Sequence, residues 1–236
     1  MIPTLQSDCM VPPMRYRILS IVAFVAVLTL PCFAEEPSQA APGNGWTEVS
    51  KKPGLVVYCR EKNDSRVKEY KATGDIAAPT WVVRNVIDDV ENYAHFMPYV
   101  TESSVLVRGG ESLVTYQRFS TPMVSDRDYI LRIQFESHPA SSGGTVYCNK
   151  WKATEDAGTT EKRGVIRVKV NEGYWLLEPV GVSTRATYMI FTDPGGTIPA
   201  MVINFGNKNA IPKLFAAIQK QVVEKKYWEK KPAGAQ

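Results

Sequence analysis

Histidine is scarce in this chain, with only His95 and His138 among 236 residues. Neither stands in a metal-ligand spacing or beside a serine or cysteine nucleophile motif, so metalloenzyme and triad-type hydrolase readings lack their chemistry. Cysteine is also sparse, four in all, with no zinc or redox spacing. Cys59 and Cys148 alone follow the N-terminal segment. They read as two small apolar side chains on separate strands or, in an exported chain, as one disulfide.

Charge of one sign is missing too. Lys and Arg number 28 against 24 Asp and Glu, spread along the chain except for a short cluster at Lys225, Lys226, Lys230 and Lys231, so no nucleic-acid partner is expected. The pairs Asp88 with Asp89 and Glu102 with Asp126 fall where a solvated face or a strand edge ordinarily carries charge. Gly195-Gly196 lacks the lysine and the glycine spacing of a phosphate loop. No catalytic residue, metal or cofactor is expected.

A long apolar run is the last absence. Ile18 to Leu30 is uncharged, yet its length of about 13 residues falls short of the roughly 20 that a membrane-spanning helix needs. Arg15 and Arg17 precede it, and Pro31-Cys32-Phe33-Ala34 ends on a small residue suited to cleavage, followed by Glu35, Glu36 and Pro37. This is a signal-peptide pattern. Residues 1–34 therefore read as leader and signal peptide, with translation starting at Met1 or Met14. Pro31 before Cys32 is a poor match to a lipidation signal. The expectation is a soluble, exported, periplasmic or secreted protein, whose roughly 200 remaining residues suit one domain with a substantial core.

What is present is strand chemistry. After an Ala-, Pro- and Ser-rich lead-in at 35–45, order is expected from Trp46. Strand-length segments rich in β-branched and aromatic residues follow at 55–61, 67–76, 103–107, 112–120, 127–136, 145–153, 164–170, 174–178 and 184–192, with turn residues between them. One helix interrupts them after Pro79, where Ala78, Val82, Val83, Val86, Ile87 and Val90 recur at helical spacing. A final helical segment spans 197–228, capped by Thr197 and kinked or broken near Asn209 by Pro212. Short connections favour an antiparallel sheet, hence one α+β domain at 46–228 with a flexible tail at 229–236.

Three motifs carry a family resemblance: Ser125-Asp126-Arg127-Asp128-Tyr129, Gly164-Val165-Ile166-Arg167, and Asp193-Pro194-Gly195-Gly196-Thr197-Ile198-Pro199 leading to Asn204. In that order they resemble the START lipid-transfer domains, over roughly Trp46 to Trp228. The resemblance implies a helix-grip fold, a curved antiparallel sheet wrapped around a long C-terminal helix with an internal lipid cavity. It also implies a gate at the loop Ser137 to Gly144. In the sterol-carrying type, an acidic residue and an arginine pair inside the cavity. The matching positions here are Val114 and Ile133, both apolar, which leaves a sterol hydroxyl without its partner.

Alternation supplies an independent view of that cavity. Arg127, Tyr129, Leu131, Ile133 and Phe135 share one strand face, and Ile166 and Val168, with Val170, share another. The residues expected to line a lipid site are Val114, Arg118, Arg127, Tyr129, Leu131, Ile133, Ile166, Val168, Met201 and Phe205. Arg118 and Arg127 are read either as headgroup ligands or as members of surface ion pairs. The function expected is a monomeric binding protein that holds one phospholipid, fatty acid or other apolar molecule and touches membranes transiently. A cyclase or aromatase acting in the same cavity, or a structural envelope protein, is the alternative.

Overall fold

The computed structural model describes residues 43, 45–63, 65–122, 124–155 and 159–231. The expected leader and signal peptide lie outside these residues. Ten strands and three α-helices run in the order β1 (Thr47–Lys52), β2 (Leu55–Arg60), β3 (Glu69–Ile76), α1 (Thr80–Asp88), α2 (Tyr93–Phe96), β4 (Val100–Arg108), β5 (Ser112–Phe119), β6 (Arg127–Pro139), β7 (Thr145–Ala153), β8 (Ile166–Arg167), β9 (Val170–Val180), β10 (Ser183–Asp193) and α3 (Ala200–Gln221). Short 3₁₀ turns occupy Val90–Asn92 and Lys225–Tyr227. The strands form one sheet in the order β1-β2-β3-β10-β9-β7-β6-β5-β4. Every pairing on that path is antiparallel. The α+β helix-grip expectation therefore holds.

Four local readings need correction. β1 is a strand beyond those expected, mostly polar from Thr47 to Lys52 because it pairs on one side only, at the sheet edge. Residues 164–170 are not one strand. β7 pairs with β6 only from Leu131 onward, so Arg127 and Asp128 are open on that side, and the two-residue β8 fills the gap in parallel. The alternation then breaks: Val170 is exposed while Asn171 is buried and turned inward.

The expected gate loop is shorter than Ser137 to Gly144, since β6 takes up Ser137, His138 and Pro139, the last paired with Thr145. Only Ala140–Gly144 turns, closed by Ala140 N donating to Gly144 O at 3.0 Å and Gly143 N to Ala140 O at 3.1 Å. Finally, Pro199 is the N-cap of α3, and no side chain caps it, Thr197 included. The helix continues through Pro212 to Gln221. Trp228 lies beyond it, its indole donating to Val222 O at 2.7 Å.

Register fixes which face of the sheet holds the helices. Ala72, Gly74 and Ile76 of β3 stand opposite Tyr188, Ala186 and Thr184 of β10. These in turn oppose Trp175, Leu177 and Pro179 of β9, and Trp175 and Leu177 face Asn149 and Tyr147 of β7. That face meets α3 at Gly74, where a Cβ would come within 3.0 Å of the Phe215 ring. The missing side chain is what allows the helix to seat so closely.

Ile211, Phe215, Ile218 and Val222 then join Val82, Val83, Val86 and Ile87 of α1, and Val57, Ala72, Leu177 and Ala186 of the sheet, in one core. Beyond α3 the chain is pinned to the end of α1. Asp89 accepts from Asn92 Nδ2 at 2.7 Å, Tyr227 Oη at 2.8 Å and Lys226 Nζ at 2.9 Å. Burial pushes its carboxyl upward, but these three bonds prevail and hold it below the usual range.

Cys59 and Cys148 are both free thiols. Cys59 faces inward beside Tyr70, whereas Cys148 occupies the opposite face of β7, beside Glu136. The reading of two separate strand residues is the one the fold supports.

Candidate functional site

The helices do not fill the inward face of the sheet evenly. The second half of α3 buries Ile211, Phe215 and Ile218, whereas in its first ten residues only Ile203 is buried. Several inward side chains of the sheet keep accessible surface, Tyr129 and Ile133 of β6, Trp151 of β7 and Ile190 of β10, as do Tyr93 and Phe96 of α2. Apolar side chains normally close on one another to native packing density. These inward side chains are incompletely covered by the helices.

Three phenols stand out in this region. Desolvation drives the hydroxyls of Tyr93, Tyr129 and Tyr188 well above the ordinary phenol range, with Asp88 and Tyr188 adding to the shift at Tyr93, and Tyr188 and Tyr93 to that at Tyr129. Tyr93 and Tyr129 keep part of their surface accessible. Both stay neutral hydrogen-bonding groups at any physiological pH. Tyr129 Oη donates to Gln117 Oε1 at 3.0 Å, and Tyr93 Oη donates to Ile87 O.

The remaining wall is aromatic with sparse polar groups, the usual composition of a small-molecule site. Tyr188 lies between Trp151 and Trp175, with ring centroids at 5.6 and 4.6 Å, and Trp175 meets Phe215 of α3 at 5.3 Å. Trp151 Nε1 donates to Asn171 Oδ1 at 2.9 Å. Asn149 Nδ2 donates to Asp88 Oδ1 at 2.6 Å, and Asp88 also accepts from Arg84 at 3.0 Å. Burial raises the Asp88 carboxyl against the lowering effects of Arg84 and Asn149. Thr115 Oγ1 on β5 and Asn207 Nδ2 on α3 are buried without hydrogen-bond partners. Buried polar atoms of that kind are costly unless something bonds to them.

The expected lining residues divide into three groups. Arg127, Tyr129, Leu131 and Ile133 do share the inward face of β6, opposite Phe119, Gln117, Thr115 and Leu113 of β5. Ile166 packs against the Gly195-Gly196 turn, and Val168 is buried beside it.

Val114 and Arg118 face outward. Val114 belongs to a separate apolar cluster with Tyr116, Ile130 and Leu106, and Arg118 binds Asp126 at 2.6 and 2.8 Å and Glu102 at 2.8 Å. Arg118 is thus a member of ion pairs, with Glu102 and Asp126 as its partners. β5 is apolar on both faces because its outer side is also covered, with Lys162 lying 4.9 Å from the centre of the Tyr116 ring. Alternation therefore gave no direction there.

Met201 and Phe205 are displaced outward as well. They are 79 % and 69 % exposed, and Val202 is 43 % exposed, because Ile203 and Asn207 take the inward stripe of α3. The first half of this helix is held by polar bonds: Lys68 N to Asn204 Oδ1 at 3.2 Å, Tyr70 Oη to Asn204 O at 2.9 Å, and Arg66 to the carbonyls of Gly196 and Ile198, both at 3.2 Å.

Sequence reasoning missed Tyr93, Gln117, Thr115, Trp151, Tyr188 and Asn207 as wall residues. The alternation Tyr147, Asn149, Trp151 on β7 held that signal. Tyr93, on a helix of four residues, offered none.

Comparison with known proteins agrees with this architecture. Residues 76–219 match the model of the family described as polyketide cyclase / dehydrase and lipid transport. The chain is 28 % identical to phosphatidylcholine transfer protein of Bos taurus, over 76 % of this chain and 84 % of that one. It is also 28 % identical to an uncharacterized protein of Pseudomonas aeruginosa, over 67 % and 77 %. Among solved structures, a STAR-related lipid transfer protein from Xanthomonas axonopodis superposes with a TM-score of 0.69 at 24 % identity, covering 77 % of this chain and all of that one. Human StAR-related lipid transfer protein 5 gives 0.67 at 19 %, covering 77 % and 88 %. With a sheet, a gripped helix and a matched span that coincide, the chain belongs to the polyketide cyclase / dehydrase and lipid transport family, in its START-like, helix-grip form.

Proposed function

We propose that this protein is a lipid carrier that encloses one lipid between the inward face of β5–β10 and the first half of α3. The observation that carries this reading is the accessible surface retained by Tyr129, Ile133 and Trp151 at the centre of the sheet. The similarity to a phosphatidylcholine transfer protein supports the ligand class. Burial of acyl chains supplies affinity at about 0.8 kcal/mol per CH₂. The cargo is held and released unchanged rather than turned over.

Exposed Met201, Val202 and Phe205 on the weakly packed end of α3 supply a membrane-touching patch, with Lys208 and Lys213 exposed further along the helix. The N-terminal leader pattern supports action outside the cytoplasm, as a single chain.

Transfer of fluorescent phosphatidylcholine between vesicles tests this reading. Ile133→Trp places an indole in the enclosed space and is expected to cut transfer by at least about tenfold, the equivalent of about 1.4 kcal/mol, with no loss of melting temperature. Transfer at the wild-type rate by this variant would remove the cavity from the account.

A further inference from the structure

Among the described residues, Arg127 senses the charge of Asp126 but makes no hydrogen bond to an acid. It stands on the inward face of β6, opposite Phe119, and is 9 % exposed. Around it every carboxylate is taken. Asp126 is held by Arg118 at 2.6 and 2.8 Å, and Asp128 by Arg167 at 2.7 and 3.2 Å. Asp193 accepts from Gly195 N at 3.0 Å and lies 3.8 Å from Arg66.

The Arg127 guanidinium has one fixed bond, from Nη1 to Ser125 O. Its Nε is buried with no partner. Its Nη2 lies beside the turn that leads into α3, 3.7 Å from where a Cβ on Gly196 would stand. The Nε–Nη2 edge is the one that grips two oxygens at once, as Arg167 does on Asp128. A guanidinium keeps its charge even where burial disfavours it, and the only acid that Arg127 senses, Asp126, is already bonded to Arg118. The helix that starts four residues beyond Gly196 has no side-chain cap and no acidic residue in its first turn, which leaves its positive end unneutralised.

We propose that Arg127, with the positive end of α3, forms a subsite for an anionic group, a phosphate or carboxylate, at the end of the lipid cavity. This inference rests on the carrier reading above. It selects lipids with an anionic oxygen pair over neutral lipids that have the same acyl chains, and Arg127 is the residue that makes the selection.

Uptake of two cyclodextrin-delivered probes, a phosphatidic acid and the diacylglycerol with identical chains, tests it on the purified protein. Wild type is expected to favour the phosphatidic acid by about tenfold or more, the equivalent of at least about 1.4 kcal/mol. Arg127→Met is expected to erase that preference by lowering phosphatidic acid uptake far more than diacylglycerol uptake, and Arg127→Lys to retain part of it. Equal uptake of both probes by wild type overturns the subsite. An equal fall of both in Arg127→Met also overturns it, showing that Arg127 only braces the turn.

Uptake of neither probe contradicts the carrier reading, and the subsite falls with it. Free inorganic phosphate that blocks phosphatidic acid uptake but not diacylglycerol uptake supports a site open to any phosphate. No block, with the lipid preference intact, supports a site reached only by a lipid headgroup.

Discussion

Gly173→Ala is expected to cost about 3 kcal/mol or more and to leave little folded protein. Gly173 sits on β9 between Ile190 of β10 and Trp151 of β7, on the inward face. A Cβ there would overlap the Met189 carbonyl oxygen and would stand 2.9 Å from Cε2 of Trp151. Neither neighbour has room to move. The carbonyl belongs to the paired strand, and the indole is held by its bond to Asn171 and its stack on Tyr188.

Gly173 is thus the position that lets Trp151 lie across the sheet as part of the cavity wall. Gly206, on α3 with nothing within 4 Å of its missing Cβ, provides the contrast. Gly206→Ala is expected to raise stability by up to about 1 kcal/mol through helix propensity alone. Chemical denaturation of the two variants checks both signs; comparable stability of Gly173→Ala and wild type would contradict the packing described.

Arg167→Met is expected to destabilise the protein by about 3–5 kcal/mol. Arg167 and Asp128 form a two-pronged ion pair with Arg167 8 % and Asp128 1 % exposed, and the bonds to Asp128 hold the guanidinium's pKa up. Removing the arginine leaves a carboxylate stranded where water cannot reach it. Restoring balance with Asp128→Asn in the same chain should recover much of the loss, because the cost lies in the unpaired charge. Equal denaturation midpoints for Arg167→Met and wild type would show that this pair is idle. The pair also ties β8 to the start of β6, and so sets the strand ends that present Arg127 and Ile166 to the turn before α3.

The parts of the fold that were legible in the sequence are those in which one face is dry and the other wet. β6 shows this best: Tyr129, Leu131 and Ile133 alternate with Arg132 and Gln134, and the register bears out the inward set. Alternation failed where both faces are covered, as at Val114, and where the chain changes partners, as between Val168 and Asn171.

On α3, Met201 and Phe205 were assigned to the interior because apolar residues usually go there. The fold instead gives that place to Ile203 and to the unpartnered Asn207 amide. An apolar residue left on the surface and a polar one turned inward both violate the simple pattern, and both fall where a ligand and a membrane would be met. Arg127 was legible as an inward arginine. Its lack of a hydrogen bond to an acid was not, since that depends on Arg118, Arg167 and Arg66 each claiming a neighbouring carboxylate.

The claim on which everything else depends is that the space beneath α3 holds a lipid. Native mass spectrometry of the protein purified without detergent, followed by extraction and identification of any released molecule, tests that claim most directly. The account predicts one lipid per chain, lost in the Ile133→Trp variant. A protein of bare polypeptide mass that also takes up no added lipid would contradict it.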